Sequence, residues 1–307
     1  MEVETFQSLD PESYFRKFVT NNIRPDGRGF QTVRQVSVDT DVLSSQHVQS
    51  SALASIGATK AVAGITLQAG QPSESAPECG DLGGGVIWCP FMSVHWQSRP
   101  RDLKPAPLCF VCVSPSEVQV LLGPLCSSKF GTGRPTEQAQ ALGSFVKDSI
   151  VGSGAILLED LIIERGCHAW KLCVDIVCVS FDGNITDVAV IAAVAALLRL
   201  RLPDTMEVDG QVVVKGEKWV QFPVRIVPLP LTFGLFDEVI ITDPSSAEEE
   251  LVTTQVTVLQ TASGQVCSVH KPGGSCVSGK QLDTCLHLSL QHAQRLSNSL
   301  VEQLRCP

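Results

Sequence analysis

The sequence has no apolar run long enough to cross a membrane. Its longest, Val188 to Leu198 (VAVIAAVAALL), falls short of the about 20 residues that a span needs and reads as a buried helix. No apolar stretch follows the acidic start MEVETFQSLDPES, so a secretory signal is not expected. An excess of positive charge is also missing: the formal net charge is −9. Gripping nucleic acid alone relies on clustered Lys and Arg. Any RNA contact must therefore lean on partners or on a small local patch. Short-period repeats are absent too. The mixture that remains, 44% hydrophobic and 18% charged over 307 residues, is globular and not disordered. It is enough chain for one large domain or two of ordinary size.

Cysteine, by contrast, is plentiful. Twelve Cys with no secretory signal point to a reducing compartment and free thiols. Cys173 and Cys178 sit inside KLCVDIVCVSF, where Cys acts as a small hydrophobe.

Local signals divide the chain. Asp10-Pro11-Glu12-Ser13 starts a helix: Asp10 caps, Pro11 fits the first position and Glu12 suits the positive end. Tyr14, Phe15, Phe18 and Val19 form its apolar face. The turn Arg24-Pro25-Asp26-Gly27-Arg28-Gly29 follows. Residues 31–68 alternate like an antiparallel meander turning at Gly57. From Gln71 to about Gly123 no period survives, and order is expected to return at 124. Thr136 caps a helix with Leu142, Phe145, Val146 and Ile150 on one face. CHAWKLCVDIVCVSF then reads as a strand, Asp182-Gly183-Asn184 as a tight turn, and Asp187 as the start of the apolar helix to about Leu200. This order suggests a sheet with helices packed on one face. Residues 219–244 read as strands interrupted by Pro, and 251–274 as a hairpin turning at Ser263-Gly264. Leu282, Leu286, Leu290, Ala293, Leu296 and Leu300 mark an amphipathic C-terminal helix. Its polar face is not basic, so it is expected to pack on the core and not on a membrane.

Three segments together resemble the RNase PH family, and more narrowly the RNase PH-like subunits of the eukaryotic RNA exosome ring: NIRPDGRGFQTVRQVSVDTDVLSS at 22–45, VDIVCVSFDGNITDVAVIAAVAALL at 174–198 and FDEVIITDPSSAEEELVTTQVTV at 236–258. PLCSSKF at 124–130 and HKPGGS at 270–275 extend the likeness to one branch of those subunits. The resemblance runs in order from about residue 10 to 300, with one gap. It implies an α+β fold: two βαβ-type lobes similar to the second domain of ribosomal protein S5, with N- and C-terminal helices. On this reading residues 1–30 hold the N-terminal helix and an extended segment, 31–202 the first lobe, and 203–307 the second lobe and C-terminal helix. The resemblance also implies six-subunit rings through which RNA threads toward a separate nuclease. The partners expected are other ring subunits, cap proteins, the associated nuclease and RNA, with no membrane. rRNA maturation and mRNA turnover in nucleus, nucleolus and cytoplasm are the expected setting.

Active members of that family are phosphorolytic 3′-exoribonucleases. Their chemistry needs cationic donors for the attacking phosphate and carboxylates to handle a proton or a metal ion. Active members follow a DGG turn with Thr and Arg. Here the turn is Asp182-Gly183-Asn184, followed by Ile185, Thr186 and Asp187. The Arg is absent and an acid stands nearby. Asp175 and Asp182 survive as carboxylates but read more simply as a strand-end polar group and a turn former. No catalytic residue, cofactor or metal is therefore assigned, and an inert ring subunit is expected. The alternative is an active phosphate-dependent 3′-exoribonuclease. Lys129 and Arg134 are the candidate RNA contacts, against a plain solvated loop. Arg24, Asp26 and Arg28 are expected to form a turn network that fixes the N-terminal segment. Gly273 and Gly274 read as a turn and not an anion cradle, with His270 and Lys271 on the surface.

The gap in the resemblance is residues 81–117. Relatives bridge this place with a short connection, and an irregular loop longer than about 15 residues is uncommon in a compact domain. Three readings exist. Cys89, His95, Cys109 and Cys112 can be proposed as zinc ligands, but the first pair is six residues apart and only one CxxC is present. Trp88, Phe91 and Trp96 can anchor a partner. The favoured reading is an irregular insertion with no evolved structural role, such as translated intron sequence.

Overall fold

The computed structural model describes residues 10–43, 45, 47–70, 81–82, 118–131, 136–164, 168–208 and 211–305. Helix α1 (Pro11–Thr20) begins as its sequence dictates: the Asp10 carboxylate accepts from the Ser13 N–H at 3.1 Å. Phe15 is its anchor, fully buried and edge-on to Phe236 at 5.0 Å.

The first sheet has seven strands. β1 (Val36–Thr40), β2 (Ser50–Ile56) and β3 (Thr59–Gly70) form an antiparallel meander. Its tight turn uses Gly57 at φ +58, a left-handed conformation that a residue without Cβ adopts freely. Two short strands follow β3, β4 (Asp81–Leu82) and β5 (Gln119–Leu121). α2 (Glu137–Gly152) starts at Thr136, whose hydroxyl accepts from the Ala139 N–H at 3.2 Å. After a 3-10 turn come β6 (Ile162–Glu164) and the long β7 (His168–Ser180). β7 pairs antiparallel along all of β3. Its other edge is lined in turn by β6, β4 and β5, the last two parallel to it. Order thus resumes at 118, earlier than the Pro- and Gly-rich sequence suggests, because Val118, Val120 and Leu122 are buried beside β7. Of the segment 81–117, Asp81 and Leu82 belong to β4; the remainder, with Cys89, His95, Cys109, Cys112 and the aromatic anchors, lies outside the described residues.

α3 (Ile185–Arg199) is apolar on every side and nearly every residue is buried, as such a helix must be in a soluble core. It packs on β2 and β3 and, across the molecule, on β10 (Leu229–Phe236) of the second sheet. It begins two residues before the position expected from sequence. Asn184 takes the left-handed conformation, φ +56, and closes the turn, so Asp187 lies inside the first helical turn and not ahead of it.

β8 (Arg201–Val208) and β9 (Gln211–Gln221) form a separate two-stranded ribbon. The second sheet runs β11-β10-β12-β13, all antiparallel, from β10 (Leu229–Phe236), β11 (Val239–Thr242), β12 (Thr254–Gln260) and β13 (Val266–His270). A one-turn helix, α4 (Ser246–Glu249), separates β11 from β12. α5 (Gly279–Arg305) packs on β10, β12 and β1 through Cys285, Ala293, Leu296 and Leu300.

Candidate functional site

The turn at Asp182-Gly183-Asn184 meets a second turn, Asp243-Pro244-Ser245, where the two sheets join. A Cβ on Gly183 would lie 2.5 Å from backbone atoms of Ser245 and Ser246, and Gly183 has φ +78. Only glycine permits this approach.

Asp243 is the centre of the junction and fully buried. One carboxylate oxygen accepts from the Arg34 N–H and Nε, both at 2.9 Å, and from Arg28 Nη1 at 3.0 Å. The other accepts from Arg34 Nη2 and Asn184 Nδ2, both at 2.8 Å. Burial alone would raise its pKa, but the Arg34 guanidinium and the other donors hold it below the usual carboxylate range. Arg34 also donates to the Asp182 carbonyl at 2.7 Å. It ties the N-terminal segment to both turns.

Asp187 accepts from Asn184 Nδ2 at 2.8 Å, the Thr232 N–H at 2.9 Å and the Thr232 hydroxyl at 2.7 Å. Burial pushes its pKa up to about 6. Glu249 takes the Asn184 N–H at the start of α3, at 2.8 Å. Burial pushes its pKa up to about 7, against the pull of Asn184, Arg34 and Lys129.

The Arg-Pro-Asp-Gly-Arg turn forms the expected network and extends it. The Asp26 carboxylate accepts from the Arg28 N–H at 2.9 Å. Arg24, fully buried, makes a two-pronged pair with Glu248 and donates to the carbonyls of Thr242 at 2.8 Å and Asp243 at 3.0 Å. Glu248 is fixed in turn by a capping box with Ser245. Sequence reasoning missed Glu248 and Asp243 as partners of this turn. The one local signal was Ser245 three residues before Glu248.

Lys129, half-exposed, donates to Ser246 Oγ at 3.0 Å and pairs with Glu250. Arg134 lies outside the described residues. Asp175 sits part-buried on β7, its pKa pushed up to about 6 by burial. Asp182 is half-exposed beside Arg34. In the HKPGGS turn, Lys271 Nζ caps the carbonyls of Gly273 and Gly274, at 2.9 and 3.2 Å. A Cβ on Gly274 would meet Thr253 O at 2.3 Å, so a backbone contact explains that glycine. His270 is partly exposed, its ring 4.5 Å from that of Phe145.

Two lobes joined through buried turn-to-turn ionic contacts, each lobe carrying a sheet and helices, define an α+β protein of the RNase PH fold. The 3′ exoribonuclease family matches in both parts, domain 1 over residues 112–203 and domain 2 over 227–292. The chain is 31% identical to exosome complex component Rrp42 of Methanothermobacter thermautotrophicus, over 83% of this chain and 81% of that one. It is 26% identical to exosome complex component rrp43 of Schizosaccharomyces pombe, over 92% and 93%. An Archaeoglobus fulgidus exosome chain, solved with RNA bound to the active site, superposes with a TM-score of 0.74 at 27% identity, covering 94% of this chain and 96% of that one. Rice Rrp46 shares the fold, with a TM-score of 0.60, 16% identity, and 92% and 100% coverage. The chain belongs to the 3′ exoribonuclease, or RNase PH, family.

Proposed function

We propose that the chain is a catalytically inert ring subunit of an RNA exosome. It supports 3′-to-5′ RNA processing and degradation by holding its neighbours and lining part of the RNA path. The kinship to Rrp42 and Rrp43 components supports the assembly. So does apolar surface on the β8–β9 ribbon, where Trp219 and Val220 are about half-exposed. Inertness rests on one observation: four cations around the Asp182 turn are spent on this chain's own carboxylates. Arg34 is matched by Asp243, Arg24 by Glu248, Arg28 by Asp26 and Asp243, and Lys129 by Glu250. Phosphorolysis needs such donors aimed at phosphate. Lys129 and Arg134 are the proposed RNA contacts; Lys129 would exchange Glu250 for a phosphate oxygen.

A second reading, an active phosphate-dependent exoribonuclease, draws support from Asp175, whose raised pKa lets it carry a proton near neutrality. Purification from cells with mass spectrometry should recover other ring subunits. Incubating the chain with RNA and inorganic phosphate should release no nucleoside diphosphate. Release that disappears in Asp182→Asn would overturn the inert reading.

A further inference from the structure

A cleft of 330 Å³ opens between α5 and the strand-leading segment 31–36, floored by β10 and β11. Its size lies at the lower end of small-molecule pockets, about 300–1,000 Å³. Its chemistry departs from that of the protein around it. Thirteen described residues line it, and among them are two Arg and one His but no Asp or Glu, in a chain of net charge −9. Arg34 is already consumed by Asp243. Arg295 is not: it stands exposed at the rim and forms no ion pair among the described residues. The Thr242 hydroxyl, on a residue only 1% exposed, has no hydrogen-bond partner among the described residues. Gln31, Gln291 and Ser299 add further polar groups, while the partly exposed Leu288, with Leu231 and Leu296 buried behind it, makes an apolar wall. His292 is kept neutral, its pKa pushed down to about 4 by burial; Asp243 pulls it upward and Arg295 downward.

We propose that this cleft binds a compact organic anion: one phosphate or carboxylate head against Arg295, and an apolar or aromatic body against the leucine wall. An inorganic ion would fill the head position and leave the apolar wall wet. A neutral body would leave Arg295 unmatched. The cleft adjoins the Asp182 turn through Arg34, whose guanidinium is already taken by Asp243 and the Asp182 carbonyl, so its occupancy is read by binding and not by nuclease activity.

Calorimetric titration of the full chain with adenosine 5′-monophosphate and with 3-phenylpropionate tests this. At least one is expected to bind, with inorganic phosphate and adenosine each at least tenfold weaker. Arg295→Gln should weaken binding at least tenfold. Gln291→Glu, which puts a carboxylate at the cleft, should weaken it as well; both positions are exposed. The bound anion should also raise the pH at which the His292 ring titrates by proton NMR, because a nearby negative charge favours imidazolium. The proposal is overturned if neither probe binds, if inorganic phosphate binds as well as the organic anions, or if folded Arg295→Gln binds unchanged.

Discussion

At the junction between the sheets each arginine faces a carboxylate. Arg24 meets Glu248; Arg34 and Arg28 converge on Asp243. Beneath α5, some of the same segments line a cleft with arginine and histidine and, among the described residues, no acid. The two regions share Arg34 and Thr242, yet they use polar groups differently. Ions removed from water need close partners, so those at the junction are matched atom for atom and serve the fold. Arg295 at the cleft rim keeps its water and its capacity to attract an anion. Positive charge buried and satisfied from within is structural; a cation that stays solvated can recognise something else.

Substitutions sharpen this contrast, beginning with the largest effect. Glu248→Gln removes one charge of a fully buried pair and strands the other, so denaturant unfolding should show a loss of about 3–5 kcal/mol. A loss under about 1 kcal/mol would mean that the carbonyls of Thr242 and Asp243 alone suffice to hold Arg24.

Glu249→Gln should act through pH. The folded-state pKa is raised above 4.5 to about 7, so the folded protein holds this proton more tightly than the unfolded chain. Its contribution is fully present below about pH 4.5 and is lost as pH rises through 7. The Gln variant has no such proton. Its melting temperature relative to the unsubstituted protein should therefore climb from pH 4.5 to 8. A difference that stays flat with pH would show that the carboxylate is ionised throughout. Asp243 contributes with the opposite sign: its pKa is lowered, so its stabilisation is present above the ordinary carboxylate value of 3.8 and is lost as pH falls below it. The smallest effect belongs to Lys129→Ala. Its pair with Glu250 is largely solvated, with side chains 49% and 64% exposed, and should contribute under about 1 kcal/mol to thermal stability.

Much of the architecture was legible because its causes are local. Asp10 and Thr136 cap the helices they announce, Gly57 and Gly264 turn the hairpins they interrupt, and the apolar stretch 188–198 is the buried α3. The β8–β9 ribbon was not read, because Arg201–Val208 (RLPDTMEV) carries charges and a proline where a strand pattern would alternate. β5 was hidden by its short length. The charge network was only half visible. Asp26 and Arg28 are neighbours, but Arg34 and Asp243 are 209 residues apart, and no periodicity links such positions. Helical spacing alone does not set His292 and Arg295 apart from the other residues outside the apolar face of α5. Their distinction comes from what folds opposite them.

The pairing of Arg24 with Glu248 spans 224 residues. During synthesis the first sheet can complete its strands once β7 has emerged. The arginines of the leading segment then remain without their acids until the Asp243–Glu248 stretch leaves the ribosome. Such distant contacts are slow to close, and the unfinished first lobe stays exposed in the meantime. A nascent chain halted before Glu248 should thus hold a formed sheet and a loose N-terminal arm, available to a chaperone until the last fifth of the protein arrives to fasten it.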